Sequence, residues 1–136
     1  MTLVDSNVLI DVFADDPRWF DWSTTRLGEA ALSGPLLIND VVYAEASIRY
    51  RSIERFDAAL ARTGITLLSM PRAALFLAGK AFAQYRGAGG ARTGVLPDFF
   101  IGAHAEVEQL PLPTRDARRY RHYFPTVILI APRSEI

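Results

Sequence analysis

The chain has 136 residues, half of them hydrophobic, and no formal net charge at pH 7, which is the size of one compact domain over 1–136 with its own core and too little for a second. The balanced charge argues against a protein that coats nucleic acid by bulk attraction, and the absence of cysteine excludes disulfides, thiolate metal sites and a catalytic thiol, in keeping with the cytoplasm. Met1 to Asp5 forms no basic leader, and no apolar run approaches the roughly 20 residues that span a bilayer, so a soluble, unprocessed protein is expected, with no membrane partner. Of the basic residues only Lys80 is not Arg, and arginine suits the forked geometry of phosphates and carboxylates.

In chain order, Thr2 to Val4 reads as a short buried strand and Asn7 to Ala14, with Val8, Leu9, Val12 and Phe13, as a helix of period 3.6. Pro17 opens a second helix to about Leu32, stopped by Ser33, Gly34 and Pro35, and Leu36 to Ile38 is the next strand. Asp40 caps a long helix running to about Arg62 and ended by Gly64; Ile65 to Leu68 is a third strand, and Pro71 starts a helix to about Tyr85. Gly87 to Gly94 is the flexible segment. Pro97 and Asp98 begin a helix to about Gln109, and Leu112 to Thr114 and Val127 to Ile130 are the last strands, around a short Arg-rich helix.

Strands that alternate with helices and read as continuous apolar runs predict an α/β fold, a three-layer α/β/α sandwich with a central parallel sheet of about five strands. In such sheets the ligand site lies beyond the carboxyl ends of the strands, where the strand order reverses. With the order 3-2-1-4-5, Asp5 after strand one and Asp116 after strand four become neighbours there. Glu45 lies about a turn and a half into the helix after strand two, and Asp98 opens the helix leading into strand four. Each acid has an ordinary structural role available, as a cap, a dipole partner or a solvated charge. Together, carboxylates in one pocket raise each other's pKa values and are costly without a cation; hard oxygen ligands of this kind suit Mg2+ or Mn2+.

Asp5-Ser6-Asn7-Val8-Leu9-Ile10, Glu45 within Val42-Tyr43-Ala44-Glu45, Pro97-Asp98-Phe99-Phe100-Ile101-Gly102-Ala103, and Pro113-Thr114-Arg115-Asp116 followed by Tyr120 and Phe124 together resemble the PIN-domain ribonucleases, specifically VapC-type toxins of bacterial type II toxin-antitoxin systems. The resemblance spans essentially the whole chain. It implies that Asp5, Glu45, Asp98 and Asp116 are the catalytic, metal-binding quartet and that Ser6 or Asn7 and Thr114 steady it. It further implies Mg2+- or Mn2+-dependent cleavage of an RNA substrate, inhibition of translation, a homodimer, and neutralisation by a cognate antitoxin. Asp5 and Asp98 are then the most direct ligands, with Glu45 and Asp116 completing the shell through metal or water.

The densest landing surface for RNA is Arg115, Arg118, Arg119, Tyr120, Arg121, His122 and Tyr123, where arginine alternates with aromatics; the same run also reads as a solvated helix face whose Tyr120 and Phe124 plug the core. His104 and His122 read as structural or surface groups, since neither is placed to act as a base. Phe13, Trp19, Phe20 and Trp22 read mostly as core, any exposed share marking an antitoxin or dimer contact. A magnesium-binding receiver module would need a Lys after a late strand, where Ala131, Pro132 and Arg133 stand, and a dehalogenase-like phosphatase would need Asp at Asn7. A catalytically inactive PIN-like module that only binds RNA or protein is the remaining alternative.

Overall fold

The computed structural model of the chain describes residues 1–92 and 94–133. Its elements are β1 (Thr2–Leu3), α1 (Ser6–Phe13), α2 (Phe20–Ser33), β2 (Leu36–Ile38), α3 (Asp40–Ser47), α4 (Ile53–Thr63), β3 (Ile65–Leu67), α5 (Arg72–Gly87), α6 (Leu96–Glu108), β4 (Leu112–Pro113), α7 (Arg118–Tyr123) and β5 (Leu129–Ile130). β1, β2 and β4 are buried, β5 is half-buried and β3 buries only Ile65; the connections between them are long and helical, as parallel pairing requires.

β1, β2 and β3 pair in parallel, Thr2 facing Leu36 and Leu36 facing Ile65, while β4 and β5 form a second parallel pair with Leu112 facing Leu129. The two pairs meet through Leu3 N donating to Pro111 O at 3.0 Å and Asp5 N donating to Pro113 O at 3.3 Å. These bonds set β4 along the free edge of β1, but the strands form two sheets, β1-β2-β3 and β4-β5, rather than the one sheet of five expected. The bonds make half a ladder for a chemical reason. Leu112 and Thr114 donate towards β5, so the groups of residues 111 and 113 face β1, and both are prolines with no N–H to return.

The expected helix from Asp40 to about Arg62 is two helices. Asn39, not Asp40, caps α3, its Oδ1 accepting from Val42 N at 3.0 Å. Ser52 adopts an extended backbone and caps α4, its Oγ accepting from Arg55 N at 3.2 Å, so helical hydrogen bonding cannot run through it. α2 begins at Phe20 rather than at Pro17 because Asp16 Oδ1 accepts from both Arg18 N and Trp19 N, holding 16–19 in a side-chain-closed turn. α1 begins one residue before the expected start, at Ser6, with Asp5 as its cap.

The core joins strand residues Leu3, Leu37, Ile38 and Leu112 to Val8, Leu9, Val42, Phe56, Phe99, Ile101, Tyr120 and Phe124 from the helices. At Gly102 on α6 a Cβ would overlap the Phe124 ring and come within 3.0 Å of the Tyr120 ring, so the absent side chain is what seats α7 on α6. Phe13, Trp19, Phe20 and Trp22 are all only half-buried, contrary to a mostly core reading. Phe13 packs edge-on against Tyr50 and Phe56, and Trp19 edge-on against Trp22. The helix α5 continues to Gly87, and 88–92 fold back on Tyr85, whose hydroxyl accepts from Arg92 N at 3.2 Å. Among the described residues no helix is long and apolar enough to cross a membrane.

Candidate active site

β1 ends in the core, so the residue that turns the chain into α1 carries its side chain into a nearly closed space. Asp5 is 3 % exposed. Its Oδ1 accepts from Ser6 N at 2.7 Å, and its Oδ2 accepts from Thr114 Oγ1 at 2.7 Å and from the Tyr120 hydroxyl at 3.0 Å. Even so, burial pushes its carboxyl up from 3.8 to about 7, with the Asp98 charge adding to the rise and the three donors opposing it. Tyr120 is buried as well, and burial together with the charges of Asp5 and Asp98 keeps its hydroxyl protonated, as a donor.

The other three acids arrive from separate elements. Ser6 Oγ donates to Glu45 Oε1 at 2.5 Å, so a single residue binds Asp5 through its backbone N–H and Glu45 through its hydroxyl. Arg119 Nη1 donates to Asp98 Oδ2 at 2.7 Å. Burial raises the Asp98 carboxyl, Arg119 pulls it back, and the charges of Glu45 and Asp116 push it up again; the acids are therefore in electrostatic reach of one another. Asp116 is exposed and its N–H donates to Thr114 Oγ1 at 3.1 Å, the same hydroxyl that serves Asp5. Asn7 spans the gap, its Nδ2 donating to Thr114 Oγ1 at 3.4 Å and its Oδ1 accepting from Arg115 N at 3.2 Å.

Among the described residues no three His, Asp or Glu side chains converge tightly enough to enclose an ion as they stand. The hydrogen bonds explain this: Asp5, Glu45 and Asp98 are each turned towards a protein donor. The donor set itself fits a hard divalent cation, being all oxygen, anionic, and built on a buried carboxyl that protein hydrogen bonds alone do not bring back to an ordinary pKa.

Beside this pocket lies a cleft of about 680 Å3 lined by Trp19, Tyr85, Arg92, Arg118, Arg121, His122 and Arg133 among others, with Asp116 on its wall. Of the arginines expected to meet RNA, Arg118 and Arg121 are exposed there. Arg115 lines the same cleft but is forked onto a buried acid. Its Nε and Nη2 fork onto Asp11 at 2.7 and 3.0 Å, Ser23 Oγ adds a bond of 2.7 Å to the same carboxylate, and Asp11 is 1 % exposed. The fork leaves Arg115 over the Trp19 ring at 5.2 Å. Arg119 is likewise tied, to Asp98. His104 is fully buried, its Nδ1 facing Asn39 Nδ2 at 3.2 Å, and burial lowers its pKa, so it stays neutral. It braces the cap of α3 against α6; His122 is exposed on the cleft.

Sequence reasoning missed Asp11 and the hydroxyl role of Tyr120. The available signal for Asp11 was an acid interrupting the apolar run Val8 to Phe13 within α1, which demands a buried partner. Tyr120 showed only as an aromatic in a basic run, and nothing local pointed its hydroxyl at Asp5.

The PIN domain profile matches residues 2–125. No curated protein matches the chain in sequence. Among solved structures, VapBC2 from Rickettsia felis bound to a DNA fragment from its promoter is similar at TM-score 0.73 and 18 % identity, covering 97 % of this chain and 98 % of that one. VapBC-1 from nontypeable Haemophilus influenzae is similar at TM-score 0.69 and 16 % identity, covering 96 % of each chain. A toxin-antitoxin complex from Klebsiella pneumoniae is similar at TM-score 0.58 and 23 % identity, covering 94 % and 96 %. At these identities the structures share a fold with this chain, and the profile match over most of its length, joined to that fold, makes the chain a member of the PIN domain family.

Proposed function

We propose that this PIN domain is a metal-dependent endoribonuclease of the VapC toxin type, which cleaves RNA in the cytoplasm, inhibits translation and is neutralised by a cognate antitoxin. The reading is supported by Ser6 joining Asp5 to Glu45, by Thr114 joining Asp5 to the Asp116 backbone, and by Asp98 held by Arg119 within electrostatic reach of Glu45 and Asp116, with an arginine-lined cleft alongside. Asp5 and Asp98 would hold Mg2+ or Mn2+, with Glu45 and Asp116 completing the shell directly or through water, and the ion when bound would supply Lewis acidity towards water and the phosphate. Ser6, Asn7 and Thr114 fix the carboxylates. Arg118 and Arg121 hold the phosphate backbone, and Tyr123 and His122 offer faces for bases. The antitoxin partner is supported by the toxin-antitoxin complex among the relatives; a homodimer follows from the VapC resemblance.

The test is incubation of purified protein with total RNA and Mn2+, then with EDTA. Cleavage that EDTA abolishes, and that Asp5→Asn or Asp98→Asn removes along with cellular toxicity while the protein stays folded, is the expected outcome. Full activity in either variant overturns the assignment. RNA bound but uncut in the presence of Mn2+ establishes the binding-only alternative instead.

A further inference from the structure

Arg119 stands at the boundary between the acidic pocket and the basic cleft. One of its guanidinium nitrogens is 2.7 Å from Asp98 Oδ2, the guanidinium carbon is 5.9 Å from the Tyr85 ring centroid, and the residue lines the cleft wall. The two arginine–aspartate pairs of this region differ in kind. Arg115 grips Asp11 with two nitrogens at a carboxylate that is 1 % exposed, and breaking that pair would strand a buried charge. Arg119 meets Asp98 through a single nitrogen, and the two side chains are 21 % and 34 % exposed. A single-point pair open to water is worth at most roughly a fivefold factor in an equilibrium. A guanidinium has five N–H donors, and this contact uses one of them. The Asp11 pair is therefore permanent, and the Asp98 pair can be exchanged.

We propose that Arg119 is a two-position residue that couples cation binding to RNA binding. In the ion-free protein it neutralises Asp98 within a group of four acids. When a divalent cation takes that carboxylate, the guanidinium swings about the Tyr85 ring into the cleft and pairs with a phosphate oxygen of the substrate. The cation removes the acid that held the arginine, and the phosphate removes the arginine that competed for the acid, so each ligand tightens the other by the same factor. The inference rests on the nuclease reading of the pocket, and it adds a role for a residue whose position in a basic run would otherwise mark it as one more phosphate contact.

The variant is Arg119→Met, which keeps an apolar stem against Tyr85 and loses the charge; Arg118→Met, on the exposed side of the same helix, is the control. Mn2+ binding is read without RNA from the free-ion signal in electron paramagnetic resonance, and binding of a labelled oligoribonucleotide is read by fluorescence anisotropy in EDTA and in Ca2+. Arg119→Met should bind Mn2+ roughly three- to fivefold more tightly than wild type, because a competitor for Asp98 is gone. It should also bind RNA more weakly in Ca2+, with the mutual tightening of ion and RNA abolished. Arg118→Met should leave Mn2+ affinity unchanged and only weaken RNA. If Arg119→Met binds Mn2+ no better than wild type, or less well, Arg119 merely positions Asp98 and the coupling is overturned. If neither wild type nor Arg119→Met binds Mn2+ at all, the metal reading beneath it fails, and the coupling fails with it. Thermal unfolding of each variant confirms that the fold is intact.

Discussion

Asp5→Asn replaces a buried acid with a neutral amide of nearly the same shape, and the cost of ionising that acid sets what should follow. The carboxyl moves from 3.8 to about 7 on folding, chiefly through burial. Because its pKa is raised in the folded state, the proton is held more tightly there than in the unfolded chain. The stability it contributes is fully present below pH 3.8 and is lost as pH rises to about 7. At about 1.4 kcal/mol per tenfold, the whole loss is about 4 kcal/mol, more than half of which falls between about pH 5 and about pH 8. The amide keeps the cap on Ser6 N, and the Thr114 and Tyr120 hydroxyls can rotate towards its Nδ2, at a pH-independent cost of about 1 kcal/mol. Urea unfolding in EDTA from about pH 4 to about pH 8 should show wild type weakening steeply and Asp5→Asn much less, with the two stabilities crossing at the acid end, between about pH 4 and about pH 5, where the loss equals the cost of the amide. Mn2+ at the alkaline end should restore wild type and do little for the variant. Parallel pH profiles for the two proteins would refute the claim that Asp5 is ionised at a cost which a cation relieves.

Three further outcomes are expected. Gly102→Ala should cost about 1–3 kcal/mol by urea unfolding, because its Cβ meets the Phe124 and Tyr120 rings, and the displaced α7 should reduce the pH dependence assigned to Asp5. Arg115→Met strands the Asp11 carboxylate and should destabilise by about 3 kcal/mol, whereas Arg118→Met should stay within about 0.5 kcal/mol; equal effects would contradict the different burial of the two sites. The double variant Arg118→Ala with Arg121→Ala should lower the salt dependence of RNA binding by about two in the log–log slope while leaving the unfolding midpoint unchanged.

How much of this was legible in the sequence depended on whether a residue's partners were near it in the chain. The strands at Leu36 to Ile38 and Ile65 to Leu67 needed only local composition, the second ending one residue before the expected Leu68, and Asp5, Glu45, Asp98 and Asp116 were singled out because strand ends, helix starts and an apolar helical stripe are local features. The long helix from Asp40 failed because its apolar period continues past Ser47, while the break is set by Ser52 as a cap and by Tyr50 packing on Phe13 and Phe56. Arg115 was read only from its neighbours in a basic run, and its buried partner Asp11, 104 residues away, could not be seen from there. The same distance problem hid Tyr120 and left the Arg119 pair unseen.

The contacts that complete Asp5 join residues 109 and 115 positions apart, which imposes an order on synthesis. A nascent chain that has exposed β1, α1 and even α6 still lacks Thr114 and Tyr120, and Asp116 has not yet been made. Until the segment carrying β4 and α7 leaves the ribosome, the acids have no common edge to share. The carboxylate at the end of β1 would thus wait for more than a hundred residues before its two hydroxyl donors exist.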